Sequence, residues 1–502
     1  MNLSYTILPK NIFFWCYPFV IFSVAFALNF QHPVAPSDPL QYLNHAVGLE
    51  QQANFLDRVV YLFTLRVFSD AFPFADATAT LGYALTIAIV LFGVRLSCLL
   101  GCPREYSLLL ALLLLSSHGL VAISAYGYPT QYQAAWVLLA LTLLLDEDGP
   151  KYRYQFLGAV LVLAVFTKIQ ALLLVGLIFA IVIMRFDLSN IKRMFFGGIV
   201  GLAVLAVLDL IIVDIDVAAI FATYFESEIY VQMEGRNKGG VPPFFVLLLD
   251  PSYAFSVLGI WQACFGKATD RRLRLLGLMG LANFAFILFI YIVTQRGGPV
   301  ILNYLLDTYA IGLICAVTYI ARLLPAPSRT LWVVAFGLFT ILVLIMPFFV
   351  QDVHTFLSDL DEDSWSLARY VLIGSVFWTL VAMFALKQRP LWLGVVLVLC
   401  LSYSSLGGIR EAAFRKSFAV TFSSLVNLPT SELETVFCYD FDKNIEKFRN
   451  RLPSLSDYRN MRTGKISESV WPTCDEASHD STRVRVWRDG AGFHFTREKG
   501  SI

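Results

Sequence analysis

The residues best suited to chemistry stand in a short proline-bounded segment near the N-terminus. Asp38 lies between Pro36 and Pro39, and proline stiffens the backbone and disfavours helix at the residue before it. A stiff loop can hold a carboxylate in one position, which suits a general base. If a helix begins at Pro39, Tyr42 and His45 follow one and two turns later, on the same side as Asp38. The segment therefore predicts a fixed carboxylate with two polar neighbours.

Asp38 also suits a purely structural role. Aspartate is a preferred N-cap residue, and proline is common at the first position of a helix. An N-cap at Asp38 and a base at Asp38 are compatible, so the sequence leaves both open.

Two cations further along the chain could bind a phosphate. Lys168 has apolar neighbours on both sides, and a lysine in such surroundings needs a polar partner, a polar cavity or a route to the membrane surface. Arg296 precedes Gly297-Gly298-Pro299, and Tyr304 follows in the next apolar stretch. A guanidinium there could hold a phosphate through two hydrogen bonds.

The segment from Phe55 to Arg66 has a broad apolar face and carries Arg58. This pattern predicts a helix that lies in the membrane interface and flanks a substrate. A helix packed against other helices would show the same pattern, so both interpretations stay open.

The loop over residues 215–242 carries several acidic residues together with Arg236 and Lys238, followed by Gly239-Gly240. Its mixed charge and glycines predict a mobile flap that could contact sugar hydroxyls. The sequence has no phosphate-binding glycine loop, HExxH, paired CxxC or GxSxG motif. Their absence argues against ATP-driven transport, zinc hydrolysis and serine chemistry.

The composition is that of a membrane protein. The chain has 502 residues, of which 57% are hydrophobic and 15% charged, whereas a soluble domain carries about 25% charged residues. Between residues 12 and 407, about thirteen apolar stretches are long enough to cross a bilayer as helices. Two of them, 155–168 and 169–184, are predicted to be short helices that turn near Lys168, because basic residues flank both outer ends.

The distribution of Lys and Arg predicts the orientation. Basic loops near residues 95–104, 267–274, 322–329 and 387–389 fall on one side, with the N-terminus, and the positive-inside rule makes that side cytoplasmic. The loops 29–78 and 215–242 then lie outside. The net charge of +1 gives no reason to expect a nucleic acid partner.

The polar tail over residues 408–502 is a separate predicted domain. Alternating residues around Asp489-Gly490 predict a terminal hairpin, and the whole tail is expected to be a small α+β domain outside the membrane. Cys438 and Cys474 could form a disulfide there. No pair of cysteines in the chain has the spacing of zinc ligands.

The chain resembles the polytopic glycosyltransferases of the GT-C fold. The resemblance rests on Asp38 with Tyr42 in the first outer loop, on Phe166-Thr167-Lys168, on the segment from Arg296 to Tyr304, and on the polar domain after the last span. It implies an all-α polytopic membrane domain over residues 1–407 and a periplasmic domain over 408–502. The family often has a second acidic residue beside the first, and Pro39 stands at that place here.

The resemblance implies an inverting sugar transfer outside a bacterial inner membrane. The donor would be a sugar linked to polyprenyl phosphate, and the acceptor a glycan, lipid or protein of the envelope. Asp38 would be the base, with no cofactor required, although Pro39 leaves a divalent metal open. The expected binding residues are Tyr42, His45, Arg58, Lys168, Arg236, Lys238, Arg296 and Tyr304.

Two other functions stay open. A polymerase or ligase acting on undecaprenyl-diphosphate glycans would rely more on outer-loop arginines than on an early aspartate. A secondary transporter usually has ionisable residues at mid-membrane and internal repeats. The predicted spans here are mostly free of ionisable residues, which favours the transferase.

Overall fold

The structure is a computed structural model that describes part of the chain. The described residues are 12–32, 42, 43, 46, 58–72, 76–147, 149–150, 152–168, 171–184, 188–212, 251–293, 305–324, 329–348, 409, 412, 416, 436–440, 483–489 and 492–498.

The membrane domain is a bundle of α-helices, as the apolar stretches predict. A π-helical turn, Phe26–Phe30, continues the first helix, and Ile341–Ile345 continues the last described one. The α-helices are α1 (Ile12–Ala25), α2 (Val59–Ala71), α3 (Ala77–Leu99), α4 (Arg104–Leu115), α5 (His118–Ile123), α6 (Pro129–Leu145), α7 (Arg153–Val165), α8 (Leu172–Met184), α9 (Leu188–Ile212), α10 (Pro251–Phe265), α11 (Arg271–Val293), α12 (Leu306–Leu323) and α13 (Arg329–Thr340).

Within the described part of the chain, four helices are long and apolar enough to cross a membrane. They are α3, α12, and the segments Leu188–Leu208 of α9 and Arg271–Phe289 of α11. Shorter apolar helices accompany them, including α7 and α8. The predicted total of about thirteen spans includes stretches outside the described residues and stays a prediction.

The core lies around α12, which packs against α3, α4, α6, α10 and α11. Most of its side chains are buried, whereas α9 exposes Phe195, Phe196 and Ile199 on its outer face. Lipid tails are the expected neighbours of such a face in a membrane protein. The bundle therefore has a protein-enclosed centre and an apolar periphery.

The helix boundaries and contacts test two local predictions, the helix pair around Lys168 and the placement of the segment from Phe55 to Arg66. The chain forms separate helices α7 and α8 with a break around Lys168, which confirms the predicted pair of short helices. Helix α2 buries Val60, Tyr61 and Leu65 and packs against α3. It is therefore packed on the bundle, the second of the two arrangements that its pattern allowed.

Basic residues from distant loops meet at one end of the bundle. Arg322 donates to Asp270 at 2.8 Å and to the Leu100 carbonyl at 2.9 Å, and Arg272 pairs with Glu147 at 2.5 Å. Partial burial acts to raise the pKa of Asp270, but the Leu273 N–H and the Arg322 guanidinium outweigh it and lower that pKa. The described parts of the basic loops near 95–104, 267–274 and 322–329 thus lie at one end of the bundle, while the loop at 387–389 lies outside the described residues.

Three strands are described in the tail. They are β1 (Val436–Asp440), β2 (Arg483–Asp489) and β3 (Gly492–Glu498). β1 pairs with β2 in parallel, and β2 pairs with β3 antiparallel, with Asp489 opposite Gly492. This antiparallel pair agrees with the predicted terminal hairpin, while the complete α+β domain stays a prediction.

Candidate active site

The candidate site lies at the end of the bundle opposite the Arg322 cluster. Helices α2, α6 and α12 begin there, and α7 ends there. The Val60 N–H in the first turn of α2 donates to the carbonyl of Phe166 at 3.3 Å. This contact brings the start of α2, with Arg58 before it, beside the segment that carries Lys168.

Arg58 and Tyr42 form a direct pair. An Arg58 Nη1–H group donates to the Tyr42 hydroxyl, and the guanidinium carbon lies 5.0 Å from the centroid of the Tyr42 ring. Tyr42 is buried, and desolvation strengthens the attraction between a cation and an aromatic face. Two residues that the sequence singled out are thus joined, and the guanidinium lies over the Tyr42 ring.

A group of tyrosines surrounds this pair. The Tyr42 ring meets the rings of Tyr61 at 5.3 Å and Tyr128 at 6.3 Å, both edge to face. Tyr61 in turn meets Tyr132 at 6.4 Å, and the Tyr132 hydroxyl is 2.8 Å from the hydroxyl of Thr64. Phenols combine an apolar ring with a hydrogen-bonding tip. The tyrosines of α2 and α6 thus enclose the Tyr42 ring at this end of the bundle.

Lys168 is buried at the end of α7, with 5% of its surface exposed. Its backbone N–H donates to the Ala164 carbonyl at 3.2 Å, so it continues the last turn of the helix. The carbonyl end of a helix carries partial negative charge and favours a cation. The Lys168 side chain is thus withdrawn from solvent at the carbonyl end of its own helix.

A buried carboxylate lies nearby, at the start of α12. Asp307 accepts hydrogen bonds from Gln133 Nε2 at 2.9 Å, Asn283 Nδ2 at 3.2 Å and the Thr308 N–H at 2.7 Å. Helices α6, α11 and α12 are thereby joined through one acidic side chain.

Asp307 was not among the residues that the sequence singled out, although a signal was present. It lies inside the apolar stretch 299–323, which is one of the roughly thirteen predicted spans, and an ionisable residue inside a span is by default a functional candidate. Asp307 is an exception to the expectation that the spans are mostly free of ionisable residues. Its partners could not be foreseen, because Gln133 is 174 residues away in sequence.

The predicted site residues divide into two groups. The structure brings Tyr42, Arg58 and Lys168 to one end of the bundle. Among the described residues, no group of three His, Cys, Asp or Glu side chains could hold a metal ion. Outside the described residues lie Asp38, His45, Arg236, Lys238, Arg296, Tyr304 and Cys474, while Cys438 is described only as part of β1, so the disulfide stays a prediction.

Comparison with solved structures shows the fold. ArnT from Cupriavidus metallidurans bound to undecaprenyl phosphate superposes with a TM-score of 0.56 at 13% identity, over 95% of this chain and 93% of that one. The apo form gives 0.53 at 13% identity, over 95% and 92%. An oligosaccharyltransferase from Archaeoglobus fulgidus gives 0.42 at 12% identity, over 94% and 66%. No family model and no curated protein matches the sequence.

ArnT is a GT-C glycosyltransferase, and the chain has the same fold along nearly its whole length. The expected GT-C fold is therefore confirmed.

Proposed function

From this GT-C fold, we propose that the protein is a membrane glycosyltransferase that uses a sugar linked to polyprenyl phosphate. The acceptor would be a glycan, lipid or protein of the cell envelope, on the extracytoplasmic side of the inner membrane. The observation that carries the proposal is the likeness to ArnT bound to undecaprenyl phosphate, which extends over 95% of the chain. The charges at the candidate site support it independently.

The chemistry of the site suits a phosphate leaving group. Lys168 and Arg58 bring two cations to one end of the bundle, in surroundings of low polarity. Fixed cations stabilise developing negative charge more strongly in such surroundings than in water. Arg236, Lys238 and Arg296 are proposed to add positive charge on the donor, and Tyr304 and His45 to contact the sugar or the acceptor.

The proposed reaction is a single displacement. An acceptor hydroxyl attacks the anomeric carbon, its proton passes to the Asp38 carboxylate, and the bond from the anomeric carbon to the phosphate oxygen breaks. Polyprenyl phosphate leaves with that electron pair, and the configuration at the anomeric carbon inverts. Lys168 and Arg58 would stabilise the phosphate as it departs.

The proposed orientation in the membrane follows from the residues that lie at each end of the bundle. The end with Arg272 and Arg322 carries the residues that the positive-inside rule assigns to the cytoplasm. The tyrosine-rich end with Lys168 would then face the periplasm, together with the tail domain. A lipid-linked donor displayed outside the membrane would reach the site from that side.

Mass spectrometry of envelope glycans and lipids tests the proposal. Cells lacking the protein are expected to lose one sugar mass from a defined glycan, lipid or protein, and the intact chain should restore it. The missing mass would identify the sugar. An unchanged glycan and lipid profile after deletion would contradict the transferase and favour transport.

The pair of Tyr42 and Arg58 yields a prediction for donor binding. Tyr42→Phe removes the hydroxyl that accepts from Arg58 while keeping the ring beneath the guanidinium. We expect KM for the lipid donor to rise about tenfold, with a smaller change in kcat, because a hydrogen bond to a charged group is worth about 1.5–3 kcal/mol. Steady-state kinetics with purified protein measures both constants.

Tyr17→Phe is the matched control for this variant. Its hydroxyl hydrogen-bonds to Thr340 at 2.5 Å, in the contact between α1 and α13, and we expect KM to stay unchanged there. An equal rise in KM for both variants would contradict a specific role for Tyr42.

A further inference from the structure

The corner where α10 turns into α11 carries cations and exposed aromatic side chains that the proposed transfer reaction does not use. Trp261 and Phe265, in the last turns of α10, expose 55% and 59% of their surface. Lys267 in the turn, and Arg271 and Arg274 at the start of α11, are exposed as well. These five residues form what is called the corner patch below.

The aromatic and basic parts of the corner patch are adjacent. The Trp261 and Phe265 rings lie with their centroids 4.5 Å apart. The two helices approach closely here, since a Cβ atom on Gly277 would lie 2.7 Å from the Cβ of Ala263. Arg274 stands three residues before Gly277, and residues at this spacing share one face of a helix. Arg274 therefore lies on the face of α11 that meets the end of α10.

The turn between the two helices is held by hydrogen bonds to α12 and by a cap. Arg322 donates to the carbonyl of Ala268 at 3.1 Å and to Asp270 at 2.8 Å. The Asp270 carboxylate also accepts from the Leu273 N–H at 2.8 Å, which caps the start of α11. The turn that carries Lys267 thus has a defined conformation.

The carboxylates near the corner patch are paired with other cations. Asp270 pairs with Arg322 at 2.8 Å, and Glu147 pairs with Arg272 at 2.5 Å. Within the part of the chain that the structure describes, no ion pair involves the three cations of the corner patch. A positive surface that lacks an internal counter-charge attracts anions.

The depth of the corner patch in the membrane indicates the kind of anion. The segment of α11 that can cross a membrane begins at Arg271, so Arg271 and Arg274 stand in its first turn, where a span meets the lipid headgroups. Tryptophan is enriched at this level of a bilayer, because its ring is apolar and its N–H is polar. Cations beside exposed aromatic rings suit a molecule that joins an anionic group to acyl chains.

We propose that the corner patch is a binding site for an anionic phospholipid. Its phosphate contacts Lys267, Arg271 and Arg274. Its acyl chains lie against Trp261 and Phe265. The site goes beyond the proposed function, because it lies at the end of the bundle opposite the candidate active site and does not depend on the sugar donor. A free phosphate ion would use the cations alone, whereas a phospholipid also needs the aromatic rings.

Lipid binding by the purified full-length protein tests the proposal. The variant Arg271→Gln/Arg274→Gln is compared with the intact protein by native mass spectrometry in detergent, with phosphatidylglycerol or phosphatidylcholine added. We expect phosphatidylglycerol to bind the variant about 25-fold more weakly, since each basic residue beside anionic lipid contributes about fivefold. Binding of phosphatidylcholine, which has no net charge, should change less than twofold. An unchanged affinity for phosphatidylglycerol would overturn the site.

Lys192→Gln/Arg193→Gln is the matched control. It removes the same charge near the start of α9, another helix long and apolar enough to span the membrane. Its affinity for phosphatidylglycerol should stay within about twofold of the intact protein. An equal loss in both double variants would overturn a specific site and leave only a general attraction of the positive surface for anionic lipid.

Two further measurements separate a phospholipid from a free anion. Trp261→Ala should weaken binding of phosphatidylglycerol, and added inorganic phosphate should not displace the lipid. Displacement by inorganic phosphate, or full affinity of Trp261→Ala, would contradict the proposed ligand. Arg271→Lys/Arg274→Lys keeps both charges and should bind phosphatidylglycerol within about threefold of the intact protein, which tests the site even if the glutamine variant does not fold. A 25-fold loss in this folded lysine variant would contradict binding through charge.

Discussion

Replacing Asp38 with Asn is expected to lower the rate of sugar transfer by about 10²–10⁴-fold, the contribution of a positioned general base. An amide has no basic oxygen that can take the proton of an attacking hydroxyl. Donor affinity and thermal stability should change little, because asparagine has nearly the same size and keeps one acceptor oxygen, which suffices for an N-cap. The measurements are the transfer rate in vitro and restoration of the sugar mass in cells lacking the protein.

The choice of asparagine separates the base from the helix cap. Asparagine caps helices about as well as aspartate does, whereas alanine costs about 1 kcal/mol at that position. If Asp38 is only an N-cap, Asp38→Asn will be fully active and Asp38→Ala will be less stable. Full activity of Asp38→Asn would therefore refute the catalytic assignment, since both roles predict that this variant folds.

Asp70→Asn is the control for charge in the same part of the chain. Asp70 is an exposed carboxylate in the last turn of α2, and its loss should leave the transfer rate unchanged. A similar decrease in both variants would point to a general effect of negative charge in this part of the chain.

Gly197→Ala is expected to destabilise the protein by about 1–3 kcal/mol or more, the cost of overpacking a dense interface. Helices α7 and α9 are in backbone contact here: a Cβ atom on Gly197 would lie 1.8 Å from the carbonyl oxygen of Gln155. Across the same contact, a Cβ on Gly158 would lie 1.9 Å from the carbonyl oxygen of Met194. Backbone atoms cannot turn aside as a flexible side chain can, so the helices must separate.

The effect should extend to the site, because α7 ends beside Lys168. We expect Gly197→Ala to lower the midpoint of thermal unfolding and to weaken binding of undecaprenyl phosphate at the same time. Close helix approach through small residues is a common way to pack helices in membranes. Thermal unfolding in detergent and lipid binding on the same preparation provide the measurements.

Gly176→Ala is the matched control for this prediction. Gly176 is a glycine inside α8, and a Cβ there would meet no atom within 4 Å. That substitution should be neutral or stabilise the helix by up to about 1 kcal/mol, because alanine has the higher helix propensity. Equal unfolding midpoints for the two variants would contradict the packing argument.

The sequence by itself determined the features that depend on neighbouring residues. Apolar runs indicated membrane helices, and the basic residues at both ends of 155–184 indicated two helices with a break at Lys168, as the structure has them. The alternation around Asp489-Gly490 indicated the strands that pair as β2 and β3. These signals are local, because helix, turn and strand preferences act over a few residues.

Only the tertiary structure decided which of these elements meet. It joined Arg58 to Tyr42, and it surrounded Asp307 with donors from α6 and α11. It also showed that α2 packs on the bundle, which its amphipathic pattern left open. Residues 174 positions apart, such as Gln133 and Asp307, become neighbours only when helices pack. Helix packing depends on the shapes and charges of whole helix surfaces. A single sequence contains the residues of each surface but does not indicate which surfaces will pair.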